Sequence, residues 1–249
     1  MRISLGALLA LALPALLPAQ TAEELVAKNL AARGGIEKIK AISTLRMTGR
    51  LQQGSLTIQF SRLAMAPNLL RDAATIQGMT QIQAYDGAAG WQISPFEGRK
   101  DPELLGEDDL REVVEEADFH GPLIDYQKKD NRIEYMGHDT VDGDDAYRLK
   151  VTLANGDIVY YFLDPDTYLE VRTEKTQFIR GAVRETFTEL GSYKQVAGVY
   201  FPFSIESGQK RNPGDSVKIT LDKIEANAAV DPQQFKMPHA APADGHKER

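Results

Sequence analysis

The sequence predicts a mainly β, α+β protein built around one strongly curved antiparallel sheet. Apolar and polar residues alternate with a period of two over most of the chain, turn signals separate the alternating runs, and only two or three segments have helical periodicity. A sheet of roughly ten strands with one apolar face must curl or be covered to bury that face. We therefore expect a half-barrel sheet with a helical lid over a hydrophobic cavity, although a fully packed core fits the pattern equally well.

Residues 1–19 have the pattern of a secretory signal peptide. Met1 and Arg2 form a positively charged N-terminal region, and residues 3–17 are almost wholly apolar. Ala19 is the small residue expected at the cleavage site. The apolar run is shorter than the roughly 20 residues that a membrane-spanning helix needs. We predict cleavage close to Ala19 and a free periplasmic protein, because the chain has no cysteine to carry a lipid anchor.

The first element of the mature chain is a short amphipathic helix. Thr21 and Glu24 have the spacing of a capping box, and Gly34 and Gly35 stand where a left-handed C-cap belongs. A second helical piece is predicted at residues 36–42. Period-two alternation then predicts a meander of strands over residues 45–51, 56–61, 69–76, 80–85 and 90–94.

An acidic amphipathic helix is expected to interrupt the strands from Pro102 onward, and it includes the carboxylate-rich segment at residues 103–118. Asp101 is its expected N-cap and Pro102 its first residue, with Gly106 as a point where it divides. Its carboxylates are expected to form a solvated lid face. Strands return after residue 126, and Asn155-Gly156 is the strongest hairpin signal among their turns.

Composition excludes several classes of function. The net charge of −7 argues against a nucleic-acid partner, which requires a basic face. Disulfide and thiolate chemistry is excluded by the lack of cysteine, and the four scattered histidines do not have metal-ligand spacing. Because no nucleophile elbow, phosphate loop or dinucleotide fingerprint is present, we expect no cofactor and no enzyme activity.

The expected cavity lining consists of apolar residues at strand and helix positions that turn toward the lid. Trp91 and its neighbours are compatible with ordinary core packing as well. The ten candidates are Met47, Leu51, Ile58, Phe60, Trp91, Ile93, Phe96, Leu110, Val114 and Val151.

Residues 85–96, with an aspartate-glycine turn, a tryptophan and a proline-aromatic pair, resemble the periplasmic outer-membrane lipoprotein carrier (LolA-like) superfamily. Residues 67–70, 161–171 and 224–238 are similar to further motifs of that family. The resemblance implies an incomplete antiparallel barrel with a helical lid over a cavity for acyl chains. The family has an arginine where this chain has Ala66, and Arg62 or Arg71 are the candidates to replace it.

We therefore expect residues 20–238 to form one lipid-binding domain, followed by a disordered tail at residues 239–249. The expected function is that of a monomeric carrier for an acylated lipoprotein or lipid, with inner- or outer-membrane proteins as donor and acceptor. One alternative is a lipoprotein sensor or regulatory module on the same fold. Another is an envelope hydrolase, for which Glu115 and Glu116 would be the candidate acids.

Overall fold

The computed structural model describes residues 20–179 and 181–239 of the chain. The predicted signal peptide and residues 240–249 of the predicted tail lie outside the described residues. Within the described part, no helix is long and apolar enough to cross a membrane.

Three α-helices and two 3-10 turns are found in the described residues. The capping box predicted at Thr21 is present: its hydroxyl accepts from the Glu24 amide, and the Glu24 carboxylate accepts from the Thr21 amide. The helices are α1 (Ala22–Ala32), α2 (Ile36–Lys40) and α3 (Glu107–Ala117), and the 3-10 turns span Pro95–Glu97 and Pro232–Phe235.

The strands alternate with tight turns, as the period-two pattern predicts. Their bounds are β1 (Thr44–Gln53), β2 (Leu56–Met65), β3 (Leu69–Ile76), β4 (Met79–Tyr85), β5 (Gly90–Ser94), β6 (Arg99–Leu104), β7 (Arg132–Val141), β8 (Asp144–Thr152), β9 (Ile158–Leu163), β10 (Glu170–Ile179), β11 (Ala182–Gly191), β12 (Lys194–Val196), β13 (Val199–Phe201), β14 (Ser204–Gln209) and β15 (Asn212–Ala226).

Thirteen of the described strands form one curved sheet in the order β6-β5-β4-β3-β2-β1-β15-β14-β11-β10-β9-β8-β7. Every neighbouring pair is antiparallel, and β12 and β13 make a separate hairpin. The two ends of the order, β6 and β7, are edges, so the sheet does not close. The predicted fold class is confirmed.

All three helices pack on one face of the sheet, which we call the inner face. Cross-strand partners in an antiparallel sheet share a face, so the register assigns each residue to the inner or the outer side. Leu45, Ala64 and Leu70 are successive partners on the inner side and are almost fully buried. The outer side is mostly polar.

Two separate cores cover the inner face. One joins α2 and α3 to β1–β4 and β15, and includes Leu45, Val113 and Ile224. The other joins α1 to β8 and β9, and includes Leu25 and Leu149. Between them, the inner face of β10, of β11 and of β14 at Ser207 is covered by neither core, whereas Ile205 of β14 packs against the first.

The prediction of a helix beginning at Asp101 is wrong. Residues Arg99–Leu104 form strand β6, in which Glu103 pairs with Gln92 of β5. Helix α3 begins at Glu107 instead, with Gly106 as its N-cap. The Asp-Pro dipeptide resembles a helix start, but tertiary pairing at a sheet edge tolerates proline and prevails over that local signal.

Candidate functional site

A cavity of about 900 Å³ lies between α3 and the part of the inner face that neither core covers. Strands β10, β11 and β14 form its floor with Thr173, Thr186, Thr188 and Ser207. Apolar side chains from β9 and β15, among them Val159, Tyr161 and Val217, border it. The lining is therefore mixed, with hydroxyl-bearing and apolar side chains next to each other.

Helix α3 roofs the cavity and has two different sides. Its apolar side packs on the sheet next to Gly90, where a Cβ atom would lie 2.8 Å from the Cδ1 atoms of both Leu105 and Leu110. Glycine at this position is therefore what allows the helix to come so close. The other side of α3 presents Glu112, Glu115 and Glu116 to the cavity.

Ion pairs join this acidic side of α3 to the sheet. Arg184 donates to the Glu112 carboxylate over 2.7 Å, and Lys175 donates to Glu115. Glu116 accepts from Arg62. Three carboxylates of the face expected to be solvated thus bridge α3 to strands on both sides of the cavity, and the Glu112 and Glu116 side chains stay 36% and 53% exposed.

Asp157 lies behind the cavity lining, against Asn155 and Gln177, and its side chain is only 4% exposed. It pairs with Arg111 of α3, whose Nε lies 3.2 Å from Oδ2, and accepts from Gln177 Nε2 over 3.0 Å. Asn155 donates to Glu115 Oε1 over 2.9 Å, and its Oδ1 accepts from the Asp157 amide over 2.9 Å. The hairpin turn predicted at Asn155 thus positions two acids.

The two carboxyl groups of this cluster have opposite pKa shifts. Burial raises the pKa of Glu115, assisted by its hydrogen bond to Asp157 and opposed by Lys175 and Asn155. Burial also acts to raise the pKa of Asp157, but hydrogen bonds from Gln177, Glu115 and Arg111 outweigh it and lower that pKa. Asp157 is therefore the stronger acid of the two.

Arg62 connects β2, β3 and α3. Its Nε donates to Asp72 Oδ1 over 2.7 Å, and its Nη2 donates to Glu116. Although burial lowers the pKa of Arg62, the carboxylates of Asp72 and Glu116 raise it well above its usual range, so the guanidinium stays charged. Of the two arginines considered as replacements near Ala66, Arg62 reaches the roof helix, whereas Arg71 lies on the outer face.

The ten residues predicted to line the cavity are distributed over several environments. Val114 borders the cavity and is 38% exposed. Met47, Phe60 and Leu110 pack against the core beneath α2 and α3, and Leu51 pairs with Ile58 on the inner face near the β1–β2 turn. Contact with a ligand stays a prediction for all ten.

Val114 is the one candidate of the ten among the described residues that line the cavity, and the remaining four lie farther from it. Val151 is fully buried in the core beneath α1. The register places Trp91 and Ile93 on the outer face, where Trp91 Nε1 donates to the Phe235 carbonyl over 2.7 Å. Phe96 lies in an exposed 3-10 turn.

Sequence reasoning missed the polar floor and the cations that face α3. Thr173, Lys175 and Gln177 alternate on the inner face of β10, and this polar alternation is typical of a solvated side. The signal that could have identified them is that β10 and β11 have few apolar residues on either face. Strands that lack an apolar face are not covered by a core.

No group of three or more histidine and acidic side chains in the described part of the chain is arranged to hold a metal ion. The acids of the cavity are paired with lysine and arginine instead.

Comparison with known proteins finds similarity at the level of structure. No family model matches the chain, and no curated protein matches it. Among solved structures, a LolA superfamily protein from Nitrosomonas europaea matches with a TM-score of 0.59 and 13% identity, covering 88% of this chain and 98% of that one.

Two further structures give similar values. A domain described as an outer membrane lipoprotein-sorting protein from Vibrio parahaemolyticus has a TM-score of 0.58 and 12% identity, over 85% of this chain and 94% of its own. A DUF1329 family protein from Desulfovibrio piger has a TM-score of 0.60 and 13% identity, over 88% and 98%. The open curved sheet, the helices on its inner face and these matches together show that the chain has the fold of the LolA superfamily.

Proposed function

We propose that this protein is a periplasmic carrier that binds the acyl chain of a lipoprotein or lipid in the cavity beneath α3. The observation that carries the proposal is the cavity itself, whose volume of about 900 Å³ lies in the range typical of small-molecule sites. Its position between two packed cores means that the fold maintains it without a ligand. The similarity to lipoprotein-sorting structures supports the same class of cargo.

The lining suits an amphiphilic cargo. Val159, Tyr161 and Val217 offer apolar contact, and each threonine of the floor adds a methyl group beside its hydroxyl. Burying about twelve methylenes at ~0.8 kcal/mol each would contribute ~10 kcal/mol before the association cost of several kcal/mol. Binding without bond chemistry is therefore sufficient for a carrier.

A reversible roof completes the proposed mechanism. Ion pairs hold the cavity side of α3, and Glu112 and Arg184, which form one of them, are partly exposed to water. That exposed pair contributes about 0–1 kcal/mol, and the buried pair of Arg111 with Asp157 contributes more, so lifting the roof requires a membrane or partner that binds the open form better. The acids that a hydrolase would need are engaged in these pairs, which favours a binding role over catalysis.

The test is mass spectrometry of organic extracts from the protein purified out of a periplasmic fraction, beside a mock preparation. We expect a stoichiometric acylated species. A protein that is clean and also fails to take up a fluorescent fatty acid would contradict the proposal.

A matched pair of variants locates the site. Thr186 faces the cavity, and Glu185, the preceding residue of β11, faces outward. Thr186→Trp should fill part of the cavity and weaken uptake of the fatty acid, whereas Glu185→Trp should leave it unchanged. Equal uptake by both variants would place the acyl chain elsewhere.

A further inference from the structure

The turns of the sheet divide between two opposite ends. Because neighbouring strands run antiparallel, the β1–β2, β3–β4, β5–β6, β8–β9, β10–β11 and β14–β15 turns all lie at one end, which we call the hairpin end. The β2–β3, β4–β5, β7–β8 and β9–β10 turns lie at the opposite end. The two ends differ in chemistry.

Large apolar side chains are exposed at the hairpin end. Phe178 and Val183 are each 66% exposed and are direct cross-strand partners beside the β10–β11 turn. Leu56, Met79 and Phe96 are exposed at the β1–β2, β3–β4 and β5–β6 turns. At the opposite end, the turns contain the acids Asp86, Asp142, Asp144, Asp164 and Asp166.

We propose that the hairpin end docks on the surface of a lipid bilayer, with these five apolar side chains inserting at the level of the headgroups. The tips from β5 to β10 are eight strand steps apart, which is about 38 Å measured along the curved sheet at roughly 4.8 Å per strand. Separate apolar points over such a width do not form one contiguous patch for a protein partner. A bilayer accepts each of them independently.

Charge favours the same orientation. Exposed basic residues, Lys100 and Arg211 among them, lie beside the apolar tips, together with acids such as Glu97 and Asp101. Glu97 is paired with Arg99. An anionic bilayer attracts nearby lysine and arginine and repels the acidic turns of the opposite end. The protein as a whole is acidic, so non-specific adsorption in another orientation is disfavoured.

The cavity beneath α3 extends toward the hairpin end of the sheet. Gln53, Gln209 and Arg184, which line the cavity, lie close to the hairpin-end termini of their strands. Docking would therefore bring the cavity toward the bilayer. The inference adds a membrane contact to the proposed carrier, but it does not require that the cavity hold an acyl chain.

The experiment is flotation of the purified, processed protein with vesicles of phosphatidylethanolamine and phosphatidylglycerol. Its N-terminus must first be checked by intact mass, because an uncleaved apolar segment would itself bind lipid. We expect the protein to float with these vesicles. Phe178→Ser combined with Val183→Ser should weaken partitioning by roughly tenfold or more, since each apolar side chain loses a favourable transfer.

Leu104→Ser is the matched control. Leu104 is 65% exposed, close to the 66% of Phe178 and Val183, but it lies at the opposite end of β6. It should float as the unmodified protein does. Lys100→Gln alone should weaken binding to a smaller degree than the tip variant, roughly fivefold for the loss of one cation in contact with anionic lipid.

Three results would overturn the proposal. The protein could stay in the soluble fraction, or Leu104→Ser could weaken flotation as much as the tip variant. Size-exclusion chromatography without lipid could also show a dimer that the tip variant dissociates, which would assign the hairpin end to contact between copies. Thr186→Trp should float normally, so failure of the acyl-chain proposal and failure of membrane docking are distinguishable.

Discussion

Helices α1 and α3 lie on the inner face of the same sheet but are held there by different forces. The buried side of α1, with Leu25 and Val26, packs on Leu149 and Leu163 of the sheet. Helix α3 has one apolar side, at Val113 and at its terminal alanine, and an ion-paired side over the cavity. The difference identifies α1 as a structural cover, and α3 is the helix that the proposed carrier mechanism requires to lift.

The largest expected effect on stability comes from a substitution in helix α1, the structural cover. Leu25→Ala should lower the free energy of unfolding by about 2–5 kcal/mol, because it leaves a void in a fully packed core. Chemical denaturation followed by circular dichroism measures this loss. Val114→Ala on the roof helix is the control and should cost below ~1 kcal/mol, since Val114 already borders the cavity. Equal losses would mean that both helices are packed alike.

The same comparison shows how far the sequence specifies this molecule. The capping box at Thr21 is a local signal and predicts α1 correctly. The cover and the roof cannot be assigned from local signals, because they depend on which strands face them. Lys175, for example, meets Glu115 across 60 residues of chain.

The position of Trp91 on the outer face shows a second limit of prediction from the sequence. Alternation shows that Trp91 and Ile93 share a face, but it does not say which face is inner. The segment that ends at Phe235 covers the outer face there, 144 residues along the chain from Trp91. When a strand is covered on both sides, its apolar residues lie on both faces. The sequence pattern then does not show which of them face the cavity and which lie in the core.

A smaller loss is expected for Asp157→Asn at the roof's buried ion pair. The change leaves Arg111 without its carboxylate and should cost about 1–3 kcal/mol at neutral pH. Because the folded pKa of Asp157 is lowered, its contribution is present above the unfolded value of about 3.9 and is lost as the pH falls toward the folded pKa. The free energies of unfolding of the two proteins should therefore begin to approach each other as the pH falls below about 4, and they should coincide only below the folded pKa of Asp157. A difference that persisted in acid would contradict this origin.

Glu115→Gln should behave in the opposite way. The folded pKa of Glu115 is raised, so its protonated form is favoured by folding below the unfolded value of about 4.3, and this advantage is lost as the pH rises through the folded pKa. The glutamine side chain is uncharged at every pH and so resembles protonated Glu115. At neutral pH the variant should equal or exceed the unmodified protein by up to ~1 kcal/mol, and the two should agree in acid. A loss as large as that of Asp157→Asn would show that the pair with Lys175 dominates.

Arg184→Met is expected to have the smallest effect on stability, and it is the most direct test of whether α3 lifts. Arg184 and Glu112 are 43% and 36% exposed, so removing their pair should change the free energy of unfolding by less than ~1 kcal/mol. If α3 is the part that lifts, the variant should nevertheless take up a fluorescent fatty acid faster in stopped-flow experiments. High salt should accelerate fatty-acid uptake by the unmodified protein more than uptake by the variant, because salt screens the ion pair that the variant lacks.

Arg50→Met is the control for that experiment, since Arg50 pairs with Asp222 on the outer face at comparable exposure. It should alter neither the uptake rate nor its salt dependence. If both variants accelerated uptake equally, the cause would be a general loosening of the sheet. If neither did, the acidic side of α3 would be as fixed as α1, and the ligand would have to enter along the floor strands.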